Sequence, residues 1–527
     1  MAANRQHVAM PIPRRQDPQR IGPGDARWPV FDVAASRAIE SDALSTHPPH
    51  ALMHRAGIAV ARLALAVAPH ARRVWVACGP GNNGGDGLVA ATALHGAGLS
   101  VTATLLGDAA RLPDDARQAL AEATRSGLLV SRDRPDAAPD LAIDALLGLG
   151  AARAPAGELA DAIARMNGFR VPTLAVDLPS GLHADTGRRL GDACVRATHT
   201  LALLTLKPGL FTADGRDHAG QVWLDRLGVA DATRPPSAAL AGREDFLAAL
   251  HPRAHASHKG SFGDVTVVGG AAGMTGAALL AARAALSAGA GRVFVDLLDP
   301  SGPAVDALHP ELMFRTAAWR AAASHLATST AVCGCGGAAA VREALPALLA
   351  RSPRLVLDAD ALNALATDEA LRTQLDARTG RGLHTVLTPH PLEAARLLGS
   401  DVAAVQANRL QAVRSLAQRH GCVVLLKGSG SLIAAPGQAT VINPTGNALL
   451  ASGGTGDALA GWLGGVWAQF PAASDGHAAA QQAAVATAWL HGRAADVALS
   501  RATGRRVLSA GDLILAMSER AAQRGAA

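Results

Sequence analysis

Chemistry is first suggested by NPTGNALLASGGTGDALAGWLGG, from Asn443 to Gly465. Apolar residues recur at helical spacing after Asp457, so GGTG reads as a loop that opens a helix. The free N–H groups of a helix start, together with the positive end of its dipole, favour an anion such as phosphate. An aspartate there can be a simple dipole-favourable choice worth about 0.3–1 kcal/mol. Beside a bound phosphate, however, a carboxylate repels the ligand unless it has work to do. Accepting the proton of a hydroxyl that attacks phosphorus is such work. Gly461, Gly464 and Gly465 are explained as well by close helix packing.

A second anion-cradle layout, VWVACGPGNNGGDGLVAA, runs from Val74 to Ala91. It reads as strand, glycine-rich loop and helix, yet it is neither G-x-G-x-x-G nor a Walker loop. Asn82 and Asn83 supply amide donors and acceptors for a ligand or a monovalent cation, and a tight turn is the plainer alternative. Two other clusters carry less. His251, His255 and His258 have a spacing that could put three imidazoles on one helix face, but no acidic support is evident and a non-metal reading is preferred. Cys333 and Cys335 form CGC rather than CxxC, which favours a structural role.

The elements that must position these residues alternate along the chain. Apolar runs ending in Gly, Asp or Pro, such as RRVWVACGPG, VPTLAVDLPSG, GDVTVVGG, RLVLDADALN and CVVLLKG, are separated by alanine-rich helical stretches. That pattern predicts parallel sheets covered on both faces, the α/β class, with ligands beyond the carboxyl ends of the strands. VADATRPPSAALAGREDF has no periodicity and marks a boundary near residues 232 to 243. The expected organisation is a disordered tail over 1–28, one domain over 29–236 and a second over 237–527.

Composition sets the remaining limits. With 527 residues the chain exceeds one ordinary core. A net charge of +6 from scattered arginines gives no nucleic-acid signature, and no basic patch has interleaved aromatics. Five cysteines without a framework suit a reducing cytoplasm. The basic, proline-rich start lacks an apolar core of the kind secretory signals carry, and no apolar run predicts a membrane span.

GTGD opening a helix after NPTGN resembles the ribokinase-like superfamily. HKGSFGDVTVVGGAAGMTGAALLAARAALSAGAGRV, HPELMF, VLDADALN, LTPHPLEAARLLG and LLKGSGSLI, in order from His258 to Ile433, narrow the resemblance to the NAD(P)H-hydrate dehydratase domain. NNGGDG, IDALLGLGAARAPAG, VDLPSGLHADTG and LKPGLFTADGRDHAGQVWLDRLGV resemble the NAD(P)H-hydrate epimerase domain from about Arg37 to Val229. The resemblance implies two three-layer αβα domains, a Rossmann-like epimerase followed by a ribokinase-like dehydratase. Together they would repair hydrated NADH and NADPH in the cytoplasm, as a homo-oligomer.

By the same resemblance, Asn82, Asn83, Gly84, Gly85, Asp86, Gly148, Leu149, Gly150, Ala151, Ala152, Arg153 and Ala154 contact the hydrated nucleotide, and Asp177 is the acid and base near the reacting carbon. Asn83, Asp144 and Ser180 match potassium ligands. In the second domain Ala277, Gly336, His390 and Asp457 face the hydrated nicotinamide, with Asp457 the base. Lys427, Gly428, Ser429, Gly430, Ser431 and Gly456 hold ADP, with magnesium expected alongside. The sequence departs from the family at Leu149, usually Thr, at His183, usually an acid, at LMHRAG in place of LMENAG, and at GCG in place of GPG before Gly336. Two other functions fit fewer residues. A kinase for a small hydroxylated vitamin precursor or sugar uses GTGD but leaves the first half unexplained. An RNA-binding or scaffold role for the first domain is opposed by the intact NNGGDG.

Overall fold

The computed structural model describes residues 18–22, 27–229, 234–250, 253–320, 326–471, 476–501 and 506–522. The chain divides into two compact units between Ser237 and Ala238. Part of the expected tail is folded. Gln19–Arg20 pairs antiparallel with Gln221–Asp225 in the first unit, and in the second Arg27 donates to Glu244 at 2.9 Å and pairs with Asp245 at 3.2 Å. These short segments carry no periodicity of their own, because partners far along the chain supply their order. The rest of the expected tail, residues 1–17 and 23–26, lies outside the described residues.

Among the described residues the sheet of the first unit runs Gln19–Arg20, Gln221–Asp225, His199–Leu203, Thr173–Val176, Leu141–Ala145, Arg73–Cys78, Ser100–Leu105, Val130–Ser131, parallel beyond the first pair. Val74, Val76 and Cys78 enter one core cluster, whereas Trp75 and Ala77 enter another. Both faces are therefore covered, which is why the strand reads as an uninterrupted apolar run. Strand order reverses between Arg73–Cys78 and Leu141–Ala145. A crevice opens beyond the carboxyl ends at such a reversal.

In the second unit the order is Met313–Arg315, Arg292–Leu297, Asp264–Gly269, Ser329–Cys333, Arg354–Leu357, His384–Leu387, Val423–Leu426, Leu432–Ala434, Val441–Ile442, Ala238–Leu240. Only Leu432–Ala434 runs antiparallel to its neighbours within this series. Here the reversal falls between Asp264–Gly269 and Ser329–Cys333. Val265, Val267 and Val332 join a core cluster with the helix Thr455–Ala468. A Cβ on Gly461 would stand 1.9 Å from the Ala281 carbonyl oxygen and one on Gly465 2.4 Å from that of Ala285. Those glycines let the helix lie against Thr275–Ser287, so their helix-propensity cost of roughly 1 kcal/mol each is offset by packing. No helix among the described residues is long and apolar enough to cross a membrane.

Candidate active sites

A cavity of about 780 Å³ sits at the reversal point of the first sheet. Asn82, Asn83, Asp86, residues 148–154 and Asp177 all line it. Gly84 and Gly85 do not. A Cβ at Gly84 would meet the Gly79 carbonyl oxygen at 2.0 Å, and one at Gly85 the Met53 side chain at 2.5 Å. They are closely packed, and NNGGDG forms nearly two turns at the start of the helix Asn82–Gly96 rather than a loop before it.

Asp177 follows the strand Thr173–Val176 with φ 66°, the left-handed region that costs a non-glycine residue about 1–2 kcal/mol. Such strain persists where surrounding contacts over-determine it, and here they do. Its Oδ1 accepts from the Leu203 N–H at 3.1 Å and from the buried Lys207 ammonium, which also donates to the Leu203 carbonyl at 2.8 Å. Three more carboxyls gather nearby. Burial, then Asp177, Glu40 and Asp115, push the Asp86 carboxyl well above the usual range. Burial, then Asp177, raise Glu40. Sequence reading missed Glu40, Asp115 and Lys207. Lys207 stood after a predicted strand and inside the quoted stretch LKPGLFTADGRDHAGQVWLDRLGV, but was given no role.

Asp144 and Ser180 lie together behind this wall. Asp144 Oδ1 accepts from the Ser180 hydroxyl at 2.6 Å and Oδ2 from the Ser180 N–H at 2.7 Å, while Ser180 Oγ accepts from Leu147 N at 2.8 Å. Burial raises the Asp144 carboxyl to about 6, against the lowering effect of those bonds. Asn83 adjoins through Gly148, where a Cβ would stand 3.1 Å from its Oδ1, and its buried Nδ2 has no hydrogen-bond partner. The family departures are placed too. Leu149 is part of the cavity wall. His183 Nδ1 accepts from the Asp185 and Thr186 N–H groups at 3.3 Å, closing its own turn. His54 is exposed, and Arg55 reaches the Leu227 carbonyl at 2.7 Å.

In the second unit Asp457 occupies the first turn of Thr455–Ala468, behind Gly454 at φ 84°. Burial raises its carboxyl to about 6, helped by Asp358 and opposed by a hydrogen bond from Cys335 and by the Lys427 charge. Cys335 Sγ and carboxylate oxygens of Asp358 and Asp457 lie within 4.8 Å of one another. Lys427 donates to Asp358 Oδ1 at 2.6 Å, with both side chains largely buried. Burial alone would lower the Lys427 ammonium, but Asp358 and Glu393 outweigh it and the group is raised. A Cβ on Gly456 would stand 3.4 Å from Lys427 Nζ, so the helix start and the lysine share one space.

The other predicted residues converge less evenly. A Cβ on Gly336 would stand 2.9 Å from that of Ala277, so these two share a wall. His390 caps the helix Pro391–Leu398; its Nδ1 accepts from the Leu392 and Glu393 N–H groups at 3.1 and 3.3 Å. The proton is thereby left on Nε2, 3.2 Å from Glu393 Oε1. Burial and then the Lys427 charge lower the His390 pKa. In the stretch 427–431, Gly428 and Gly430 have φ 131° and 63°, and Ser431 Oγ donates to the Gly428 carbonyl at 3.2 Å. Ser429 lies between them in the same turn.

Asp358, Asp360 and Glu393 stood inside motifs the sequence reading quoted, yet it gave them no role. Cys335, read as structural, has its thiol within 4.8 Å of the Asp358 and Asp457 carboxylates. The reversal of strand order places the end of Ser329–Cys333 beside this cluster. The three-histidine helix face is not formed among the described residues: His255 is outside any helix, His258 caps a short 3-10 turn, and His251 lies outside the described residues.

Comparisons with known proteins agree with this division. Residues 49–209 match the family model described as YjeF-related protein N-terminus, and residues 265–514 the model described as NAD(P)H-hydrate dehydratase. The chain is 36% identical over 501 residues to the bifunctional NAD(P)H-hydrate repair enzyme Nnr of Escherichia coli, covering 92% of each. It is 37% identical over 479 residues to the Nnr protein of Coxiella burnetii, covering 88% of this chain and 93% of that one. Half of it (50%) is 44% identical to 86% of the ADP-dependent (S)-NAD(P)H-hydrate dehydratase of Neisseria meningitidis.

Proposed function

The chain belongs to the bifunctional NAD(P)H-hydrate repair enzymes, and we propose that its two units divide the repair between Asp177 and Asp457. The observation that carries this reading is the placement of each carboxylate near the strand-order reversal of its own mostly parallel sheet, among different partners.

In the hydrate, water has added to the nicotinamide ring at a carbon bonded to the ring nitrogen. In the first unit Asp177 takes the proton of that hydroxyl as the carbon–nitrogen bond breaks and an aldehyde forms. Closing the ring on the other face and returning the proton gives the other epimer. The cavity walls 148–154 and Asn82, Asn83 and Asp86 hold the nucleotide while this happens. Potassium fits behind the wall. Asp144, Ser180 and Asn83 offer oxygens suited to a hard cation, and the Asn83 amide, turned over, presents an unmet oxygen where its buried nitrogen lacks a partner. When bound, the ion would supply positive charge beneath the anionic substrate.

The second unit dehydrates the S hydrate with ADP, brought as its magnesium complex. Hydroxide is a poor leaving group, so the hydroxyl is phosphorylated first. Asp457 accepts its proton as the oxygen attacks the β-phosphorus, and AMP departs. Lys427, the turn 428–431 and the helix start at Gly456 cradle the phosphates. The ring nitrogen's lone pair then expels phosphate, and loss of a ring proton restores NADH or NADPH. His390, with its proton on Nε2, orients the ring. Five buried free cysteines suit the reducing cytoplasm in which these cofactors turn over.

The test is stoichiometry. Each NADH recovered from the S hydrate should be matched by one AMP and one phosphate, measured by phosphorus NMR. Accumulation of a phosphate ester without NADH would support the kinase reading instead, and NADH formed without loss of ADP would refute the phosphorylation route.

A further inference from the structure

We propose that Cys335 is a positioning residue for the dehydration step: its thiol donates a hydrogen bond to the Asp457 carboxylate and holds that carboxylate toward the hydroxyl it deprotonates. The inference rests on Asp457 being the base and goes beyond it by naming the group that orients it.

Three observations carry the proposal. First, Cys335 Sγ and carboxylate oxygens of Asp358 and Asp457 lie within 4.8 Å of one another, which puts the thiol within reach of the Asp457 carboxylate. Second, the backbone fixes the thiol. Cys335 lies just beyond the strand Ser329–Cys333 at the sheet's reversal point, its carbonyl accepts from Gly270 N at 3.0 Å, and the Gly336 carbonyl accepts from Ala271 N at 2.7 Å. These bonds tie the loop to the neighbouring strand's end. Third, Cys335 is 1% exposed, so the thiol proton has no water to donate to. Burial, then the charges of Asp457 and Asp358, drive its pKa well above the usual range, so the group remains a donor.

Without this donor Asp457 has little to orient it. Asp358 is tied to Lys427 and repels it; Asp360 adds further negative charge and accepts from Ala338 N at 2.8 Å. Lys427 attracts Asp457 but donates to Asp358. From the packed helix His477–Ser500, the half-buried His491 has Nε2 3.0 Å from the Thr455 carbonyl oxygen, and desolvation drives its pKa down to about 4. It is neutral where the enzyme works. Glu393 and His390 act on Lys427, one step further out. A proline here, the family's usual residue, has no donor; this chain therefore has a tuning contact that a GPG loop lacks.

A hydrogen bond to the charged form of a carboxylate favours that form. Removing it should move the acidic limb of the dehydration profile upward. The experiment compares kcat against pH, at saturating S hydrate and ADP, for the full-length wild type, Cys335→Ala, Cys335→Ser and Asp457→Asn. Cys335→Ala should shift the limb up by about 0.5–1 unit, a loss of about three- to tenfold near pH 5.5 that fades above pH 8. Cys335→Ser, which restores a donor, should return the limb to within a few tenths of wild type. A purely structural thiol would lower kcat equally at all pH values. An unmoved limb in Cys335→Ala, or a serine variant displaced as far as alanine, overturns the proposal. Dehydration retained by Asp457→Asn would instead overturn the base assignment on which it rests.

Discussion

On the proposed division of labour each site aims one carboxylate at a ring hydroxyl, with opposite arrangements of charge. In the first unit the lysine sits on the proposed acid itself: Lys207 donates to Asp177, whose strained backbone and Leu203 contact fix it further. In the second, the lysine is given to a neighbour. Lys427 binds Asp358, and Asp457 is left half-buried with the Cys335 thiol within 4.8 Å. The difference suits the two reactions. Epimerisation moves a proton out and back with no net change, so an anchored carboxylate serves. Phosphoryl transfer needs a base of raised affinity for the proton beside phosphates that Lys427 must help to hold.

Replacing each acid breaks the comparison most severely. Asp457→Asn should lower dehydration by about 10²–10⁴-fold while leaving epimerisation unchanged, measured on separated epimers. Asp177→Asn, chosen because asparagine tolerates the left-handed backbone, should lower epimerisation by a similar factor and spare dehydration of the S hydrate. The pH dependence sharpens it. Asp457 works deprotonated, and its carboxyl is raised to about 6, so dehydration should fall about tenfold per unit as pH drops below that value. Lys207→Met tests the anchor. It should slow epimerisation about tenfold, and by leaving Asp177 buried without its partner it should destabilise the first unit by about 3–5 kcal/mol in urea unfolding. Exchanging potassium for tetramethylammonium should have the smallest effect, a few-fold loss in epimerisation alone.

What the sequence made legible follows the range of the interactions. The glycine run before an apolar helix announced Asp457, and an apolar strand ending in VDLPSG announced Asp177, because both signals are local. The partners are not local. Asp177 and Lys207 meet only when two neighbouring strands are aligned, and Lys427 reaches Asp358 across the sheet. Glu40 belongs to the helix Val33–Thr46, where an acid beside apolar neighbours reads as an ordinary surface residue. Gly84 and Gly85 show a packing demand that the motif alone does not reveal. They stand within a stretch expected to bind the ligand, and the space they leave is filled by Gly79 and Met53. Cys335 looked structural because its neighbour Cys333 is: that side chain is wholly buried in a strand, whereas the next residue but one turns toward Asp457.

The central claim is that one chain repairs both epimers through two separate carboxylates. Its most direct test supplies an equal mixture of the R and S hydrates with ADP and follows NADH absorbance, on a time scale on which uncatalysed epimerisation is negligible. Wild type should recover essentially all of the NADH, whereas Asp177→Asn should stop near half. Wild type stopping at half, or Asp177→Asn recovering the whole at the wild-type rate, would contradict the account.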